Sequence, residues 1–441
     1  MKTRRYFYNS LFYASVASLG GFLFGYHTAS ISGALIFISE TFNLTIFQQS
    51  FLVSTVIFGA LIGSWFGGTI ADLTGRRNTF FIAIYALFIG TFSFVTYKNL
   101  YVFYTSRALV GFAVGIFSAV VPIYIAELSK PKYRGKLVSI NHLFLVLGIL
   151  ISNIFGYFFS KTQNWEFMFL TGLFFALLMF LLLFFIPETP SYLASRNRTE
   201  EAYNALKKIT DDLNHTEVVK KIESHKKIGW KDLLSKQVKA AFIVGIGINI
   251  FRQVTGINIV TYYAPKIFLM AGFNSPHIAM LGAISVTSAN LLATIVSLWL
   301  IDYVGRKPLL IFGISGMVIS LTTLGIMFLF SPENLSYLII IPLMLFTASF
   351  ATGLGGVSFL INSEIFPMEI RGRAVGITTL ANWICNYLVS SSFLSLIYNF
   401  GKSPTFFLFG AIGLLGLLFV IKKVPETKGK SFLEIQKFFS K

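Results

Sequence analysis

The sequence predicts an all-α membrane protein of twelve transmembrane helices in two six-helix halves, and three observations predict it. Charge is scarce, long apolar runs recur along the chain, and two short motifs appear twice at matching places. Of 441 residues, 55% are hydrophobic and 12% charged, and the mean hydropathy is +0.72. A water-soluble chain carries about 25% charged residues to cover its surface, and a lipid-facing one has no such need. Phe (49 residues) and Gly (36) are both abundant, which suits helices that meet lipid on one side and each other closely on the other.

A helix needs about 20 apolar residues to cross a bilayer core. Such runs are centred near Leu11–Ser30, Phe51–Ile70, Phe80–Thr96, Tyr101–Ala126, Leu137–Phe159 and Phe167–Ile186. After a polar break come Val238–Met270, long enough to be interrupted, then Ile278–Ile301, Leu309–Phe330, Leu338–Leu360, Ala374–Ile397 and Phe406–Ile421. The expected organisation is a first half over 1–187, a cytoplasmic linker over 188–237, a second half over 238–423 and a cytoplasmic tail over 424–441. Linker residues Thr199-Glu200-Glu201, followed by Ala202, Leu206 and Ile209, read as a short amphipathic surface helix. The apolar stretch after the basic N-terminus runs past Ser15-Val-Ala17 without a polar break, which makes it a retained first span rather than a cleaved signal peptide.

The net charge of +18 does not point to nucleic acid, because the basic residues fall in short blocks between apolar runs. With the N-terminus inside, Arg4, Arg5, Arg76, Arg77, Lys130, Lys132, Arg134, Lys136, Arg306, Lys307, Arg371, Arg373, the linker and the tail all face the cytoplasm. The opposite loops offer little beyond Lys98, Lys161 and Lys402. The positive-inside rule therefore places both termini in the cytoplasm, and the very short outer loops read as those of a bacterial inner membrane. A single cysteine, Cys385, excludes an internal disulfide or a cysteine-based metal cluster. No nucleotide loop, HExxH or nucleophile elbow appears, so neither an enzyme nor a cofactor is expected.

The halves echo each other. Asp72-Leu-Thr-Gly75-Arg76-Arg77 follows the second span, and Asp302-Tyr-Val-Gly305-Arg306-Lys307 follows the eighth. Glu127 closes the fourth span with Arg134-Gly135 seven residues on, and Glu364 closes the tenth with Arg371-Gly372 at the same interval. Two unrelated patterns at matching positions argue for an internal duplication. Acid and arginine at neighbouring helix ends can pair, and can release each other when the halves rock. The plainer reading is that these residues only anchor helix ends; the symmetric repetition favours a gate.

With Gly25-Tyr26, Pro122-Ile-Tyr-Ile-Ala-Glu127 and Gln253-Val-Thr-Gly256-Ile-Asn258 beside these paired motifs, the chain resembles the sugar porter family of the major facilitator superfamily, with similarity to bacterial xylose/proton symporters and facilitative glucose transporters. The resemblance rests on Gly25-Tyr26…Ile31-Ser32-Gly33, the paired Asp…Gly-Arg motifs and Pro122-Ile-Tyr-Ile-Ala-Glu127. It continues through Pro187-Glu188-Thr189-Pro190-Ser191, Gln253-Val-Thr-Gly256-Ile-Asn258…Tyr262-Tyr263, Asn382-Trp383 and Pro425-Glu426-Thr427-Lys428-Gly429. It implies alternating-access transport of a monosaccharide by a monomer, with a solute site built from amides and aromatics. The positions that match are Phe24, Gln253, Asn258, Tyr262, Asn290, Gly355, Asn382, Trp383 and Asn386, with Glu188 and Glu426 joining the gate. The chemistry is apt, since an amide both donates to and accepts from sugar hydroxyls without carrying charge.

Four positions depart from the family pattern. His27 stands where proton-coupled members carry Asp, and Arg252 stands where the family has Gln. His142 replaces a frequent Gln, and Phe359 replaces the usual Trp. Arg107 matches an arginine that partners the missing Asp. No carboxylate lies in the middle of any span, and intramembrane charge is costly enough to imply a role for the cations that do. Three readings stand: a facilitator of neutral sugar, a proton symporter titrating His27, and a carrier of a sugar acid with Arg252 as counter-charge. A sugar sensor of transporter-like build is the rival from another class.

Overall fold

A computed structural model describes residues 2–129, 133–209, 236–330, 337–366, 371–430 and 432–439. Every apolar run is helical, and the helices extend beyond the runs because backbone hydrogen bonding continues into the polar interface. Spans one to six are Lys2–Thr41, Ile46–Thr74, Arg76–Thr96, Leu100–Glu127, Arg134–Ser160 and Trp165–Leu182. Span seven is Lys236–Val254 plus Ile257–Met270, and spans eight and nine are Pro276–Val304 and Arg306–Phe330. Span ten joins Ile340–Phe350, a π turn at Ala351–Gly355 and Gly356–Ile365; Arg371–Phe400 and Lys402–Lys423 complete the twelve. Among the described residues, twelve helices are long and apolar enough to cross a membrane.

Local chemistry sets where helices begin. Asn99 opens span four by accepting from the backbone N–H groups of Tyr101 and Val102 at 2.9 and 3.4 Å, and Ser275 opens span eight by accepting from Ile278 N–H at 3.3 Å. Either side chain satisfies donors that a helix start otherwise leaves open. The first part of the linker forms Pro190–Ser195 and Thr199–Ile209. The second of these buries Ala202, Ala205, Leu206 and Ile209, as its amphipathic pattern demands. The remainder of the linker, 210–235, lies outside the described residues. A tail helix spans Phe432–Phe439.

Two compact units result. The first holds Met1–Thr28, Thr55–Ser152 and Glu166–Lys227; the second holds Ala29–Ser54, Asn153–Trp165 and Ile228–Lys441. Thus the last part of span one, the start of span two and the end of span five pack in the same unit as spans seven to twelve. Inside that unit Asn153 donates to Thr287 Oγ1 at 2.8 Å, His277 stacks on Tyr157 at 4.0 Å between ring centroids, and Ser160 Oγ pairs with His277 Nδ1 at 2.8 Å.

Candidate functional site

Span seven supplies the centre. Gly256 takes φ +91°, a left-handed conformation that costs an L side chain energy and that glycine adopts freely. The helix therefore stops at Val254 and restarts at Ile257. Gln253 lies before the break and Asn258 after it. Asn258 Nδ2 donates to Gln253 Oε1 at 2.6 Å, and Gln253 Nε2 donates to Asn382 Oδ1 of span eleven at 2.7 Å. One turn further along each helix, Asn386 Nδ2 donates to Tyr262 OH at 3.3 Å, and Ser390 Oγ donates to Asn386 Oδ1 at 3.0 Å. The break thus sets out a row of uncharged amides and a phenol between spans seven and eleven.

Gln253, Tyr262, Asn382, Trp383 and Asn386 are buried, while Asn258 is half-buried. Asn290 of span eight is buried as well, and its carbonyl oxygen accepts from Thr294 Oγ1 at 2.8 Å. Gly355 ends the π turn of span ten, between Phe350 and Phe359. Arg252, next to Gln253, has its guanidinium 4.3 Å from the Phe359 ring centroid and 6.0 Å from that of Phe350. Its Nε is buried with no hydrogen-bond acceptor.

The candidates for coupling and the two remaining lining candidates lie in the first unit. His27 and Arg107 are fully buried. Arg107 Nη1 donates to the His27 carbonyl at 3.2 Å, and its guanidinium faces the Phe169 ring at 5.3 Å. Span six allows this packing at Gly172, where an added Cβ would come within 2.8 Å of His27 Nε2. Phe24 and His142 are half-buried.

The duplicated motifs form two locks of one design. In the first unit Arg76 Nη2 meets Asp72 at 3.0 Å and Glu127 at 3.3 Å. Glu188 receives the backbone N–H groups of Arg76 and Arg77 at 3.1 and 3.0 Å, and Arg77 Nε donates to the Leu183 carbonyl at 2.8 Å. In the second unit Arg306 Nη2 meets Glu364 at 2.8 Å. Glu426 receives the N–H groups of Arg306 and Lys307, each at 3.0 Å, and Lys307 Nζ donates to the Ile421 carbonyl at 2.8 Å. Gly75 and Gly305 leave these helix starts without a capping side chain, and the remote carboxylates take that place, where the helix dipole favours negative charge. Arg134 is exposed and has no ion pair among the described residues. The side chains of Asp302 and Arg371 lie outside the described set.

Burial pushes the Glu188 carboxyl above the usual range, despite the backbone N–H groups of Thr189, Arg77 and Arg76. For Glu426 burial acts in the same direction, but N–H groups of Lys428, Arg306, Lys307 and Thr427 outweigh it and leave the carboxyl below the usual range. The less buried carboxylate keeps more water and pays less for its charge.

Sequence reasoning passed over Lys266, whose ammonium meets Gln49 Oε1 within the second unit. An unaccompanied lysine inside the apolar run Tyr262–Met270 was the available signal. Its partner was not available, since the two residues stand 217 apart in sequence.

A sequence profile for the family described as "Sugar (and other) transporter" matches residues 13–439. The chain belongs to that family. It is a family of transporters rather than enzymes. The major myo-inositol transporter of Bacillus subtilis is 35% identical, over 96% of this chain and 93% of its own length. The glucose transporter of Staphylococcus epidermidis is 34% identical over 96% and 95%. Among solved structures, the xylose transporter of E. coli in a partially occluded inward-open conformation superposes with a TM-score of 0.83 at 31% identity, covering 96% of this chain and 99% of that one. A proton:xylose symporter bound to 6-bromo-6-deoxy-D-glucose gives 0.82 at 32% identity over the full length of both. The transporter thus has the major facilitator fold and crosses the membrane many times.

Proposed function

We propose that the transporter carries a monosaccharide across a bacterial plasma membrane by alternating access, downhill and without obligatory proton coupling. The observation that carries this is the amide row Asn258–Gln253–Asn382 at the break of span seven. These groups hydrogen-bond one another and can exchange those bonds for sugar hydroxyls at little net cost, because each amide both donates and accepts. Gln253, Asn258, Tyr262, Asn290, Asn382, Trp383 and Asn386 are the solute contacts in this reading, with Gly355 and Phe359 of the same unit as further lining. The transporter acts as a monomer of two six-helix halves, with both termini in the cytoplasm.

Coupling would require a group that gains and loses a proton in contact with water. The spans hold no mid-helix carboxylate, and His27 is fully buried against Tyr26 and span six. Arg107 in that reading orders the first unit by holding the His27 carbonyl. The two locks lie at helix ends on the cytoplasmic side in this reading, and each steadies its own unit.

Purified protein in liposomes is expected to equilibrate labelled hexoses or pentoses with no pH gradient imposed. Gln253→Ala should lower uptake severalfold while leaving expression and monodispersity intact. Uptake that collapses when a gradient is removed would assign coupling to His27 instead, and normal uptake by Gln253→Ala would discard the amide row.

A further inference from the structure

We propose that the preferred solute carries one negative charge, as a sugar monocarboxylate of the uronate or aldonate class, and that Arg252 is its counter-charge. This rests on the transport reading above and names the substrate class of the same site.

The argument begins with charge balance along span seven. Beyond Lys236 and Lys239 at its start, two cations lie in its interior, Arg252 three residues before Thr255-Gly256 and Lys266 about 15 Å beyond the break at helical rise. Neither meets a carboxylate among the described residues. Arg252 is held by the faces of Phe359 and Phe350, and Lys266 by the neutral amide of Gln49. The acids of all twelve spans lie within three residues of a helix end: Glu40, Asp72, Glu127, Glu166, Asp302 and Glu364. Four of these have partners of their own, since Arg76 takes Asp72 and Glu127, Lys98 takes Glu166, and Arg306 takes Glu364. An uncompensated cation in a low-dielectric span is expensive. A transported anion would compensate it during each turnover.

Geometry makes Arg252 a receptor rather than a bystander. A guanidinium held over aromatic rings uses none of its N–H donors in that contact, and those donors suit a carboxylate fork. Its Nε is buried and has no acceptor. The rings that hold it flank the π turn of span ten, an irregularity of the kind often found at functional positions. The adjacent residue, Gln253, opens the amide row, so one ligand can place its carboxylate on Arg252 and its hydroxyls on Gln253, Asn258 and Asn382. A single fork neutralises one charge, which favours a monocarboxylate over a phosphate dianion. Lys266, further along the same helix, extends the positive potential and would repel inorganic cations.

The test uses full-length protein in liposomes with labelled D-glucuronate, D-glucose and D-glucose 1-phosphate. Wild type is expected to take up glucuronate with a kcat/KM about 10-fold or more above that for glucose. Arg252→Gln should lower the glucuronate value by about 30-fold, as loss of charge-assisted hydrogen bonds does, and so invert the preference. Arg252→Lys should keep a preference for the anion, because it retains the charge. Thermal unfolding and monodispersity show that each variant is folded. Glucose entering as well as glucuronate, with a ratio that Arg252→Gln leaves unchanged, overturns the anionic assignment and leaves the transport reading standing. Preference for glucose 1-phosphate overturns the monocarboxylate class. Folded wild-type protein that moves none of the three removes the transport reading, and this inference with it.

Discussion

The lock after span two and the lock after span eight share one skeleton and differ in burial. Each has a left-handed glycine, an arginine whose guanidinium meets the acid closing a later span, and a distant glutamate capping the following helix. The first is lined by an aromatic ring: Arg76 and Arg196 both face Tyr192 at 5.7 Å, and Tyr192 OH donates to the Leu73 carbonyl at 3.2 Å. The second is lined by polar chain, with Thr427 Oγ1 donating to Glu364 at 2.5 Å and Lys428 Nζ to the Tyr303 carbonyl at 2.7 Å. One motif placed in two surroundings yields carboxylates displaced in opposite directions. Hydration, rather than sequence identity, sets how firmly each glutamate holds its charge.

The largest test of that contrast removes the arginines. Arg76→Ala leaves the half-buried Glu127 without its arginine partner and should cost about 1–3 kcal/mol, the scale of a partly desolvated charge left unsatisfied. Arg306→Ala should cost less, because Glu364 is the more exposed acid, at 26% against 18% for Glu127. Chemical or thermal unfolding in detergent reads both, and equal losses would erase the distinction. Next come the glycines, which sit at φ +95° and +103°. Alanine at either place should cost about 1–3 kcal/mol of backbone strain. Gly75→Ala should be the worse, since its Cβ would lie 2.3 Å from Glu188 Oε2 and 3.0 Å from the Tyr192 ring, whereas at Gly305 the nearest atom is Glu426 Oε2 at 2.9 Å with no ring behind it.

A smaller effect is expected from the capping glutamates. Glu426→Gln should destabilise by about 0.3–1 kcal/mol, the worth of a charge at a helix N-terminus, while Glu188→Gln should be close to neutral because burial already penalises its charge. The same melting assay decides, and a reversed order would break the comparison. Finest of all is the pH response. Glu426, depressed on folding, contributes stability that is present above the unfolded carboxylate range and is lost as pH falls through its folded value. Glu188, raised on folding, behaves oppositely: its contribution turns favourable as pH falls through its folded value. Melting curves of the two Gln variants, each minus wild type, should therefore diverge with opposite sign between neutral and acid pH.

Much of this was legible in the chain. The span number followed from apolar runs of fixed length, since the bilayer demands the same length of every helix. That span seven is interrupted followed from the length of its apolar run, and the repeat placed acids and arginines at neighbouring helix ends without deciding which would pair. Harder to see was Lys266, whose significance depends on an amide from the other end of the chain, and the stacking of His277 on Tyr157. These contacts arise from packing between helices far apart in sequence, which no local pattern encodes.

By itself, then, the sequence determined the twelve helices, the duplication and the family, because hydrophobic length and repeated motifs are properties of the string. Which glutamate is strained by burial, where the Arg252 guanidinium rests, and which spans join in one compact unit were decided only in three dimensions. Those outcomes depend on how much water and which dipoles surround each group, and folding alone sets that.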